Sequence, residues 1–171
     1  MAKTDFLLAV DHQVAPGQEY YGPYNVILNH VFTFEEHYVV NPQPYPILQQ
    51  AVDYPLEFLV MTLNSRVVMG VEIKRENDLV DKPSRRLAHT QVLDRFYMMR
   101  ESLQIPVFVI VSVFGRYCRI YRYTQATRTA VPDFMSSCNE VDWDIDLATL
   151  QGRRRLNDVF DEVKQMTQQS E

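Results

Sequence analysis

Eight consecutive residues, Val107-Phe-Val-Ile-Val-Ser-Val-Phe114, set the strongest constraint on how this chain folds. A β-branched and aromatic run with no polar alternation reads as a central strand covered on both faces. Other layers must therefore lie above and below it. At 171 residues the chain has the length of one domain that could supply them. The longest apolar stretch, residues 105–114, is too short for a bilayer, which needs about 20 residues. Asp5 and Asp11 bracket the short run Phe6 to Val10, and no small-residue cleavage site follows. Cys118 and Cys138 make neither a disulfide framework nor a zinc-ligand spacing. The expectation is an intracellular protein with no membrane segment and no structural metal.

The remaining elements fall around that strand. Gly22-Pro23 leads into Tyr24 to Phe32, where Tyr24, Ile27, Leu28 and Val31 share one helical face. Tyr38 to Val40 reads as a brief strand, closed by the proline-rich stretch 41–46. Glu57 to Leu63 and Arg66 to Lys74, divided by Asn64-Ser65, read as a hairpin. Residues 75–83 are charged, close with Pro83 and predict a loop. Ala88, Val92, Phe96, Met99 and Leu103 then recur at helical steps between Ser84 and Leu103. Gly115 turns the central strand into Arg116 to Tyr123, whose polar–apolar alternation predicts a half-exposed edge strand. An acidic loop through Trp143 leads to a last helix over 147–166. The whole predicts an α/β fold, one mixed sheet with helices on its faces. Residues 1–18 read as a turn-rich arm and 19–171 as the domain.

The net charge of -5 argues against a nucleic-acid partner only at first sight. Residues 74–128 hold eleven Lys/Arg against five Asp/Glu, so the acidic excess lies elsewhere. Exposed charges separated by more than about 8–10 Å are largely screened, so a basic segment can still attract a polyanion locally. The plainer reading of Arg85, Arg86, Arg95 and Arg100 is a solvated helix face.

Glu72-Ile73-Lys74 end an otherwise apolar strand. Alternation puts Glu72 and Lys74 on one face and Ile73 on the other. A two-residue turn at Asn64-Ser65 would set Glu57 opposite Glu72, and facing carboxylates repel unless a cation or a raised pKa intervenes. Asp53 precedes the same hairpin. Read plainly, Glu72 and Lys74 are a strand-end ion pair worth about 0–1 kcal/mol if exposed.

Asp53, then Glu72-x-Lys74 across a hairpin, then a helix carrying Gln91, resembles the PD-(D/E)XK, or restriction-endonuclease-like, superfamily. The resemblance extends to a group of uncharacterised fungal proteins assigned to that fold. It runs through Glu19-Tyr-Tyr-Gly-Pro-Tyr-Asn25, Val52-Asp53, Val71-Glu-Ile-Lys74, Ala88 to Phe96 and Trp143 to Leu147. It implies a Mg²⁺-dependent nuclease, Mn²⁺ substituting, that hydrolyses phosphodiester bonds, with DNA favoured over RNA as substrate. Asp53, Glu72 and the Ile73 carbonyl would hold the cation, Glu19 would complete the set, Lys74 would stabilise developing charge, and Gln91 would position water or phosphate. The family's Pro-Asp pair is here Val52-Asp53, so Glu57 competes with Asp53 as the first-strand ligand. A homodimer or a protein partner would add substrate affinity. The alternative is a nuclease-fold module that binds nucleic acid or protein without cleaving. His12, His30, His37 and His89 show no convergent spacing, and Tyr117, Tyr121 and Tyr123 read as strand packing before base stacking.

Overall fold

The computed structural model describes residues 19–43 and 56–168. The expected arm, 1–18, lies outside them. Helix α1 (Tyr21–Val31) buries Tyr24 and Leu28 and begins three residues earlier than the periodicity predicts. The first four N–H groups of a helix need no partner within it, so Pro23 fits inside that first turn. Strand β1 (Tyr38–Gln43) continues through Pro42 where the sequence suggested a stop. Among the described strands it is the outermost, the place where a sheet tolerates proline.

Strands β2 (Leu56–Thr62) and β3 (Val67–Lys74) form the expected antiparallel hairpin, closed where Thr62 N–H donates to the Arg66 carbonyl. The charged stretch after β3 contains one 3-10 turn, Glu76–Val80. Asp81 then caps helix α2 (Lys82–Met99), accepting from Ser84 N–H at 2.8 Å, with Pro83 in the first turn. The helix ends before Leu103, which is nonetheless buried. Helix α2 carries the chain across to β4 (Val107–Phe114), which lies parallel to β3 as the crossover demands.

Strand β5 (Tyr117–Thr124) pairs antiparallel with β4. It is not the predicted edge. Strands β6 (Thr129–Val131) and β7 (Ile145–Asp146) both pair with its far side. Such short strands leave no periodic trace, so the alternation in β5 reflects two covered faces of different polarity. Helix α3 (Leu150–Gln168) starts three residues later than predicted and closes the fold. The sheet order is β1-β2-β3-β4-β5-β6, with β7 beside β5. One pair is parallel and the rest antiparallel, which makes a mixed α/β sheet. No helix among the described residues is long and apolar enough to cross a membrane.

Side-chain parity assigns the faces. Lys74 reaches Gln91, Tyr121 reaches His89 and Phe108 meets Phe96, so one face of the sheet carries α2. Tyr24 reaches Cys118, Tyr21 stacks on Phe58 and Phe32 meets Phe160, so α1 and α3 share the other. Phe108, Val109, Ile110, Val111 and Val113 are buried between them. Each such side chain contributes about 1.5–3 kcal/mol through loss of apolar surface to water.

Candidate functional site

Glu57 stands opposite Glu72, as expected, but not through a two-residue turn: Thr62 closes on Arg66 around three residues, and a register shift between Val60 and Met61 restores the pairing. Glu72 is 1% exposed, on the sheet face beneath α2. The parallel register sets Ser112 beside it, and the antiparallel register sets Arg119 beside Ser112. A polar row of Glu57, Glu72, Ser112 and Arg119 thus crosses four strands of an apolar sheet. Lys74 follows on the same face, one step toward the strand end, and its ammonium donates to Gln91 Oε1 at 2.6 Å. Ile73 is buried on the opposite face.

A second layer covers that row. Trp143 Nε1 donates to Ser112 Oγ at 3.3 Å, and the Arg119 guanidinium lies 5.2 Å from both the Trp143 and Tyr121 rings. Arg119 also donates to the Ser137 carbonyl at 2.8 Å and sits 3.7 Å from Asp142. Burial raises the Tyr121 pKa, the Arg119 guanidinium opposes that rise, and the Glu72 carboxylate adds to it. The Tyr121 hydroxyl is 3.0 Å from His89 Nδ1, and the His89 ring is buried close to the Asp133 backbone.

His89, 4% exposed, gives a pH signature. Burial, then the Arg119 charge, hold its imidazole below the usual value of 6.5. The unfolded chain therefore takes up a proton near that pH while the folded chain does not. The contribution to stability is complete above about pH 6.5 and declines as the pH falls below it. Thermal melts at pH 7.5 and 5.5 should show a loss that shrinks in His89→Gln, which keeps a partner for Tyr121. An unchanged loss in that variant contradicts the assignment.

The other expected residues divide. Glu19 lies half-buried in the turn before α1, next to Tyr20, whose hydroxyl donates to Glu76 just beyond Lys74. It therefore comes to the same end of the sheet as Lys74. Asp53 falls outside the described residues, and of Glu57 only the backbone register is described. Among the described residues no three His, Cys, Asp or Glu side chains gather as a metal site. A shell of three such groups would draw on side chains outside the described ones, such as those of Asp53 or Glu57. Carboxylate oxygens are the hard donors that suit Mg²⁺, which binds through one or two of them and keeps water.

Two residues at this end were not anticipated. Glu76 meets Tyr20 and lies 3.9 Å from Arg116, which is 3.2 Å from Asp146. Arg116 had been counted in the basic segment, and these contacts engage its charge internally. Arg85 likewise departs from a solvated face: it is buried and donates to the Leu79 carbonyl at 2.5 Å and the Cys138 carbonyl at 2.9 Å. It ties the 3-10 turn before α2, and the loop that leads to Trp143, to that helix. Arg86 does stay exposed. Burial pushes the Cys118 thiol up to about 12, so it is inert.

No family model, curated protein or solved structure matches this chain.

Proposed function

We propose that this protein is a Mg²⁺-dependent nuclease that hydrolyses phosphodiester bonds, with DNA as substrate. The observation that carries the reading is one strand, β3, bearing Glu72 opposite Glu57 and Lys74 on the same face, held by Gln91. Asp53 or Glu57, Glu72 and the Ile73 carbonyl would hold the cation, which when bound activates water and neutralises a phosphate. Lys74 supplies a fixed positive charge where negative charge develops on the phosphate oxygens. Gln91 orients that ammonium, so little rearrangement is needed as the charge builds. Burial of Glu72, Ser112 and Arg119 shields them from bulk solvent, which strengthens the electrostatic contacts they make.

The burial of Glu72 favours a second reading, because a cleaving site must admit a phosphate. In that reading the chain is a nuclease-fold module that binds nucleic acid or a protein without cleaving.

Mn²⁺ titration, followed by the paramagnetic signal of the free ion, separates the two. The nuclease reading predicts saturable binding that falls at least about 10-fold in Glu72→Gln, since coordination depends on that carboxylate. Binding of equal strength in the variant, or none in the parent, supports the module instead.

A further inference from the structure

Between the C-terminal half of α2 and strand β6 lies a cleft of about 610 Å³. Its floor is apolar and buried: Leu93, Phe96 and Tyr123. Its walls are apolar and open, with Tyr97 63%, Val131 68% and Phe134 64% exposed. The Arg100 guanidinium lies 3.7 Å above the Tyr97 ring and stiffens that wall. Exposed apolar surface rimmed by charge marks a surface that another molecule covers.

The rim charges identify the occupant. Arg100 and Arg128 are balanced by Glu101, which lies 3.2 Å from the first and 3.8 Å from the second, and by Asp133. A polynucleotide would meet two acids for two cations, and a strongly acidic or basic peptide would meet one like-charged pair. A patch with equal charges of both signs around an apolar centre is complementary to itself, as a two-fold contact requires. Strand β6 also ends the sheet order, and no strand among the described residues pairs with its outer edge.

We propose that this face joins two copies of the chain in an isologous dimer. Phe134 of each copy enters the cleft of the other, and the arginines of each rim face Glu101 and Asp133 across the axis. The cleft lies toward the start of β4, away from Lys74, so dimerisation is independent of any cleavage.

Sedimentation equilibrium of the full chain, from about 1 to 100 µM, tests the contact. The wild-type chain is expected to approach twice the monomer mass. Phe134→Glu should weaken association at least about 30-fold, the scale of an interface anchor, with the circular-dichroism spectrum of the folded chain unchanged. Arg100→Glu with Arg128→Glu in one chain, and Glu101→Arg with Asp133→Arg in another, should each sediment as monomers and associate when mixed. A wild-type monomer at 100 µM overturns the proposal. So does a dimer that survives Phe134→Glu, or charge-reversed chains that self-associate as well as the parent.

Discussion

Gly152→Ala is expected to lower the melting temperature by about 6–12 °C, although alanine is the better helix former by about 1 kcal/mol. Gly152 lies in the first turn of α3, where its N–H donates to Thr149 Oγ1 at 2.9 Å. There α3 passes directly over β7. An added Cβ would overlap the Asp146 carbonyl, with the carbonyl carbon only 2.5 Å away. Backbone cannot swing aside as a side-chain tip can. The same carbonyl accepts from Thr149 N–H at 3.0 Å and Thr149 Oγ1 at 2.8 Å, and Asp146 pairs with Tyr117 and lies against Arg116. Lifting α3 away disturbs all of these, a net cost of about 3 kcal/mol after the propensity gain. Gly70→Ala is the control: its Cβ would meet Ile110 Cγ1 at 3.4 Å, so the variant should stay within about 1 kcal/mol of the parent. Calorimetric melts of both variants decide the matter, and equal stability contradicts the close approach.

Lys74→Ala should reduce the cleavage rate at least about 100-fold while leaving Mn²⁺ binding intact. Removing one group that stabilises developing charge typically costs that much. The side chain is half-buried, so its loss should change the melting temperature little. Gln91→Ala releases the ammonium from its 2.6 Å partner and should produce a smaller loss in the same direction. Glu72→Gln should lose both cleavage and metal affinity. The contrast between the two sites distinguishes charge stabilisation from coordination; parallel losses of metal binding in all three variants contradict it.

Much of this arrangement is legible in the sequence because local patterns encode it. The buried run 107–114 announces a central strand, and Asn64-Ser65 between two apolar runs announces the hairpin, although Glu57 comes opposite Glu72 only through the register shift after Val60, which no local pattern marks. The rest depends on contacts between distant segments. Ser112 and Arg119 stand beside Glu72 only because β3 and β4 run parallel, a register set by the crossover helix and not by either strand. Trp143 covers them from a loop with no periodicity of its own. Strands of three and two residues, β6 and β7, turn a predicted edge into an interior strand. The arginines mislead for a related reason. A guanidinium offers five donors, so Arg85 satisfies two carbonyls where sequence alone suggests a solvated face, and Arg116 engages two acids where sequence alone suggests a basic segment open to a polyanion.

Hydrolysis by the strand that carries Glu72 and Lys74 is read out by single-turnover cleavage, with protein in excess over labelled linear duplex and single-stranded DNA. Scission should require Mg²⁺ or Mn²⁺, stop on addition of a chelator and fall at least about 100-fold in Lys74→Ala. An intact, folded parent chain that cuts neither substrate with either metal would contradict it.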